Sequence, residues 1–287
     1  MPEIKPLGAN PLTKHFRQPK LYIQLPSKGK YYGPEDLERT ENGEYPVYAM
    51  TARDEIAFKT PDALLNGQST VDVIQSCMPN IKNAWAVPSI DIDTILIAIR
   101  IATFGDTMDI TTVVPKINES REYTVSLREL IDEINQLEFV DNVVVGDMNI
   151  HIRPLSYREW TKTAIATFEE QRIFNVANNN EMDEEEKVAV FNRSFKKLTE
   201  ITVGSIISSI TSIEVDDQVV TEPMFIQQFV ENADRDFYQT LSDHIDEQKK
   251  QFSVKPRIVI TSDEDREKGA PEQFEMPIVF DQSHFFG

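Results

Sequence analysis

The sequence predicts an α+β fold, mostly helical, with small peripheral β-hairpins and an extended N-terminal arm. Three observations carry that expectation. Apolar residues recur at helical spacing in stretches bounded by capping residues, prolines and glycines. Short alternating runs meet at Asn42-Gly43, Gly146-Asp147 and Asp216-Asp217, residue pairs suited to tight turns. Residues 1–20 mix prolines, a glycine and scattered charge with no periodicity, as an extended arm does.

Taken in order, Leu21–Leu25 alternates weakly and reads as a strand, followed by turn chemistry at Pro26–Lys30. Asn42-Gly43 then sets up a return strand over Tyr45–Tyr48. Thr51 suits an N-cap for a helix over Ala52–Lys59, and Thr60-Pro61 restarts a helix that Gly67 ends. Thr70–Met78 makes a short helix that stops at Pro79. Ser89 caps a helix from Ile90 to Phe104, closed by Gly105. It is apolar nearly all round, through Ile90, Ile92, Ile95, Leu96, Ile97, Ile99 and Ile101, and so predicts the central core helix.

Thr111–Val114 and Glu122–Val125 read as paired strands. Ser126 and Glu129 form a capping box for a helix with Leu127, Leu130, Ile131, Ile134 and Leu137 on one face. Asn142–Pro154 alternates about its turn and predicts a hairpin. A second capping box, Ser156 with Glu159, opens a helix carrying Trp160, Ala164, Phe168 and Ile173. Asn178–Asn180 reads as a loop. Asp183 caps a helix with Val188, Phe191, Phe195 and Leu198 at helical spacing, followed by a helical stretch near Ile201–Ser209. A small hairpin follows, with Ile213 and Val215 before its turn and Val219-Val220 after it. Pro223 starts a helix whose inner face holds Phe225 and Phe229, and Phe237, Leu241 and Ile245 repeat the theme in the next. Pro256–Gly287 reads as two strands around an acidic turn, ending in two adjacent aromatics that predict docking on this chain or on a partner.

The resulting organisation has four parts. Residues 1–50 form the arm and an N-terminal hairpin, and 51–140 a helical block with a small hairpin. Residues 141–253 form a β-hairpin and a second helical block, and 254–287 the C-terminal hairpin and Phe-Phe tail. The plan of a helical block followed by a hairpin occurs twice, at about 112–125 and 257–280, which raises an internal repeat as an open question.

Composition narrows function. A net charge of −19 argues against nucleic acid as a main partner, because a phosphate backbone is repelled. The first 40 residues reverse that sign, with Lys5, Lys14, Arg17, Lys20, Lys28, Lys30 and Arg39 against Glu3, Glu35, Asp36 and Glu38. Such an arm suits an acidic protein surface or is simply solvated. No apolar h-region follows the first residues, and the run Ile95–Phe104 is too short for a bilayer. The expected setting is a reducing cytoplasm, with no membrane partner. The single cysteine, Cys77, excludes an internal disulfide and reads as a buried structural thiol.

Chemistry-bearing motifs are missing. His15, His151, His244 and His284 lie far apart without ligand spacing, no CxxC pair occurs, and no phosphate-cradling glycine loop or GxSxG elbow is present. Asp91 and Asp93 fit a divalent cation by type. Acids in a helix's first turn equally oppose the macrodipole, and that is the reading adopted. No cofactor, metal, small-molecule substrate or catalytic residue is assigned, and the chain reads as a scaffold rather than an enzyme. A catalytic site assembled from distant acids stays open as a remote alternative.

Leu25–Tyr32, Met50–Glu55, the Asp93–Gly105 segment with Ala98-Ile-Arg100 and Phe104-Gly105, and the ending Phe280–Gly287 resemble the T-even-type phage baseplate hub and hub-assembly proteins, in family order. Some of those relatives carry zinc-ribbon-like cysteine pairs in the hairpin after the core helix and again before the final Phe-Phe. This chain has Val114-Pro-Lys-Ile117 at the first place and Lys255-Pro-Arg257 at the second. The resemblance therefore implies degenerate ribbons that persist as bare hairpins without metal. Hairpins so small need support from neighbouring helices or a partner.

The resemblance further implies a late, non-enzymatic protein of a contractile-tailed phage. It would be structural or assembly-promoting in the baseplate hub and would bind hub or tape-measure components. Its setting would be the host cytoplasm during assembly and, if it stays in the particle, the virion tail. A transient tail-assembly chaperone absent from the virion is the alternative. Partner contacts are expected at Leu25, Pro26, Ser27, Lys28, Gly29, Tyr31 and Tyr32, and at Phe280, Phe285 and Phe286, the last two as aromatic anchors.

Overall fold

The computed structural model describes residues 16–58, 67–179 and 183–278. The expected helix over Thr60–Gly67 and the tail residues Phe280, Phe285 and Phe286 lie outside them, apart from Gly67 itself. Within them the fold is α+β and mostly helical, with small antiparallel sheets.

Helix α3 (Ser89–Phe104) is the centre of the first core. Ile95, Ile97 and Ile99 have no exposure, and Leu96 and Ile101 are buried beside them. Isoleucine is a modest helix former in isolation. Burial on every side overrides that preference, each such side chain contributing roughly 1.5–3 kcal/mol. Ser89 lies inside the helix rather than capping it, and Pro88 precedes it without a side-chain cap.

Around α3 pack the ladder β1 (Leu21–Gln24) with β2 (Glu44–Val47), helices α1 (Ala52–Phe58) and α2 (Gln68–Cys77), and helix α4 (Leu127–Asn135). Of the capping box predicted at Ser126 the N-cap half is present, with Glu129 N donating to Ser126 Oγ at 3.4 Å. Cys77 is fully buried in this core, and burial pushes its thiol up to about 12, which makes it inert.

Strands β3 (Thr107–Val114) and β4 (Glu119–Ser126) form one hairpin. Near the C-terminus β9 (Arg257–Ile260) and β10 (Gln273–Met276) form another, with helix α9 (Asp263–Glu267) between them. The two hairpins support each other. Tyr123 meets Phe274 edge-on with ring centroids 6.0 Å apart, and Arg121 reaches Asp265. Val114–Ile117 offers no metal ligand, and among the described residues no group of three or more His, Cys, Asp or Glu could hold a metal ion.

The second core lies under a four-stranded antiparallel sheet in the order β5 (Asn142–Val145), β6 (Met148–Ile152), β7 (Ile210–Val215) and β8 (Gln218–Val220). The two hairpins expected separately are thus edge-paired into one sheet, Ile150 standing opposite Ile213. Helices α7 (Pro223–Asn232) and α8 (Arg235–Phe252) cover it through Ile226, Val230, Phe237, Leu241 and Ile245. One expectation needs correcting here. Phe225 is 59% exposed, and the inner face of α7 is the Ile226–Val230 pair, with Phe229 packed beside it against Phe237 at 4.9 Å. The face is turned by one residue, because Ile226 and Val230 satisfy the same four-residue spacing.

Helices α5 (Tyr157–Asn179) and α6 (Glu184–Ser209) form a long hairpin, in which the Phe174 ring lies tilted against Phe191 at 4.6 Å and meets Phe195 edge-on at 5.8 Å. The stretch near Ile201–Ser209 continues α6 without a break. Asp183 precedes α6 without a side-chain cap bond. Trp160, Phe168, Val188 and Phe195, all at helical spacing, are largely exposed.

Candidate functional site

The segment Leu25–Tyr32 is a tight turn folded into the first core. Lys28 N donates to Leu25 O at 2.8 Å, and Lys28 and Gly29 both take positive φ, 53° and 74°. A Cβ on Gly29 would meet Leu37 Cδ2 at 3.2 Å, which together with the positive φ favours glycine there. Leu25, Pro26, Ser27, Gly29 and Tyr32 are buried, Lys28 and Lys30 exposed, and Tyr31 half-buried.

Asp91, in the first turn of α3, holds this segment. It is fully buried. Its carboxylate accepts from Ser27 N at 2.8 Å, Ser27 Oγ at 2.6 Å and Tyr32 Oη at 3.0 Å. Burial raises its pKa to about 6 against the pull of those three donors, and burial beside that carboxylate raises the Tyr32 phenol well above its usual value. Asp91 is therefore a structural acceptor, beyond the dipole role that its position suggested. From outside, Arg39 Nη2 donates to Gly29 O at 3.0 Å and Tyr32 O at 3.2 Å.

The exposed side of the turn leads to a cleft between the two cores. Lys30 pairs with Asp141, and Tyr31 meets Phe139 edge-on at 5.6 Å. Phe139 in turn lines a half-enclosed cleft of about 330 Å³. Its walls come from the start of α3 (Ile90, Ile92), the end of β6 and the segment after it (Ile152, Pro154) and the end of α8 (Ile245, Phe252). Asp93 is its half-buried acid. Burial raises this carboxyl to about 6, opposed by the Val254 N–H that it accepts.

Trp160 lines the same cleft and is 48% exposed. It is held by a stack of flat groups. Trp160 lies on Tyr157 at 5.9 Å, Tyr157 on Trp85 at 5.6 Å, and the Arg158 guanidinium covers Trp85 at 4.9 Å. The Ser156–Glu159 capping box sets this turn. Glu159 accepts from Ser156 N and Ser156 Oγ, both at 2.8 Å, and forms a two-pronged pair with Arg153 at 2.7 and 2.8 Å. Desolvation alone would raise the Glu159 carboxyl, but the Arg153 bond and the Ser156 N–H outweigh it and hold the group down at about 2.

A mostly apolar cleft with an exposed tryptophan and a few charged groups at its edge suits an inserted side chain. Sequence reading singled out the turn but not the cleft. The one usable signal was the capping box, which fixes Trp160 just inside the start of a helix.

Residues 20–268 match the T4 bacteriophage base plate protein family. The match covers most of the chain, and the chain belongs to that family. It is accordingly a phage baseplate protein with a structural role in the tail, where it contacts other tail proteins. No curated protein and no solved structure matches the chain.

Proposed function

We propose that this member of the T4 bacteriophage base plate protein family is a non-enzymatic component of the baseplate hub that binds hub or tape-measure components and brings them into register. The observation that carries the reading is the cleft between the two cores. Its apolar walls and exposed Trp160 stand next to the turn that the hub-protein resemblance had marked. An aromatic or aliphatic side chain from a neighbouring subunit fills it, while Lys28, Lys30 and Tyr31 contact the rim. Leu25, Pro26, Ser27, Gly29 and Tyr32 act from beneath by fixing the shape of that rim. Phe280, Phe285 and Phe286 supply further aromatic anchors from this chain to its partner.

Quantitative mass spectrometry on purified phage particles, alongside lysates of infected cells, tests the reading. A fixed low copy number in particles, with cross-links from Lys28 or Lys30 to a hub subunit, supports it. Abundance in lysate with absence from particles replaces it with a transient assembly chaperone.

A further inference from the structure

Helix α6 carries a surface that is complementary to itself. Val188 and Phe195 are 55% and 60% exposed. They stand seven residues apart, so they lie almost in line along the helix, about 10 Å from each other. Glu185 and Lys196 are exposed on the same flank of that line, and neither takes part in an ion pair among the described residues. The neighbouring charges behave differently, Lys187 bonding Glu184 and Lys197 bonding Glu200 within the helix.

These four residues are nearly symmetric about one point on the helix, near Phe191 and Asn192. In a two-fold contact residue i meets j, and j meets i. Laying a second α6 antiparallel across that midpoint sets Val188 against the other Phe195, and Phe195 against the other Val188. The same operation sets Glu185 against the other Lys196 on one flank, twice. Antiparallel helices bring like flanks together, so apolar and charged pairs are satisfied at once.

Local charge also selects this surface. The whole chain carries −19, and two copies repel each other over most of their area. From 183 to 200 the acids Asp183, Glu184, Glu185, Glu186 and Glu200 are nearly matched by Lys187, Arg193, Lys196 and Lys197. We propose that the occupant of this face is a second copy of the chain, joined through antiparallel α6 helices about a two-fold axis near Phe191 and Asn192.

Sedimentation velocity on the purified full chain, with no other tail protein present, tests this. The wild-type chain is expected to be a dimer at micromolar concentration. Phe195→Glu, Glu185→Lys and Lys196→Glu are each expected to give monomers with unchanged far-ultraviolet circular dichroism. The double exchange Glu185→Lys with Lys196→Glu restores opposite charges at both symmetric places and is expected to recover the dimer. A monomeric wild type, or a dimer that survives Phe195→Glu, overturns the proposal. A double exchange that stays monomeric rules out the antiparallel register. Failure here leaves the baseplate reading standing, since that reading concerns a different surface and different partners.

Discussion

Arg121 holds Asp265 from both sides of its guanidinium edge, Nη2 donating to Oδ1 at 2.7 Å and Nε to Oδ2 at 3.2 Å. The contact joins the hairpin after the core helix to the helix inside the C-terminal hairpin. Asp265 is 2% exposed, so its charge is compensated chiefly by this one partner. Arg121 also reaches Glu119, and Lys268 bonds both Glu119 and Glu264. Two hairpins too small to stand alone are thereby tied into one unit.

Replacing Arg121 with Ala should loosen both hairpins together. Hydrogen exchange is expected to rise over 107–126 and 257–276 in the same experiment, with little change in α3. Lys268→Ala should do much less, because Lys268 is exposed, shares Glu119 with Arg121 and otherwise pairs only with the exposed Glu264. The Arg121 bond holds the Asp265 carboxyl below its usual value. The stabilisation is therefore present above the unfolded carboxyl pKa and disappears as pH falls through the lower folded one. Wild type and Arg121→Ala should converge in strong acid, a trend that paired denaturation curves would check.

Asp91 makes a sharper case. Its removal strands Ser27 N, Ser27 Oγ and Tyr32 Oη in the core. Each unsatisfied buried group costs about 1–3 kcal/mol, so Asp91→Ala should destabilise by about 3 kcal/mol or more. Tyr32→Phe removes one donor and leaves two, and should cost about 1 kcal/mol. Urea denaturation of both variants checks the order. Equal losses would mean that the Ser27 bonds contribute nothing.

What the sequence made legible was local. The N-cap at Ser126, the capping box at Ser156, the turn pairs at Gly146-Asp147 and Asp216-Asp217, and the buried stripe Phe237, Leu241, Ile245 all depend on neighbours within four residues. The pairing of Ile150 with Ile213 does not. Alternation tells which face of a strand is buried but says nothing of which edge it joins. The cleft was illegible for the same reason, since its walls come from 89–93, 152–155 and 245–253. On α7 the eye goes to Phe225, although Ile226 and Val230 bury better together. Asp91 reads as a helix-dipole acid in the sequence because its three donors, on Ser27 and Tyr32, lie 64 and 59 residues earlier in the chain.

Asp93 gives a pH dependence of opposite sign to that of Arg121. Burial raises its carboxyl from 3.8 to about 6. The folded chain therefore binds this proton more tightly than the unfolded chain does. Its contribution is most favourable below the unfolded pKa and is lost as pH rises from about 4 to about 6, then stays level. Asp93→Asn removes the charge and should stabilise the chain at pH 7 by about 1 kcal/mol, with no gain at pH 4. Melting curves across that range decide the matter. A gain that persists at low pH would mean that Asp93 is not desolvated by the cleft wall.

Trp160 and Tyr157 occupy adjacent layers of one stack but differ in exposure, 48% against 3%. Tyr157 is flanked by Trp85 and Trp160, so Tyr157→Ala opens a hole in the first core and should cost about 3–5 kcal/mol. Trp160→Ala removes only an outer layer. Its melting transition should stay close to that of the wild type while capture of baseplate subunits from infected-cell lysate falls at least tenfold, the loss of about 1.4 kcal/mol or more expected of an aromatic anchor. Trp160→Phe keeps a flat apolar ring on Tyr157 and should recover most of the capture. If Trp160→Ala captures as well as the wild type, the partner does not enter the cleft. If it unfolds instead, the exposed ring belongs to the core and the cleft has no separate binding role.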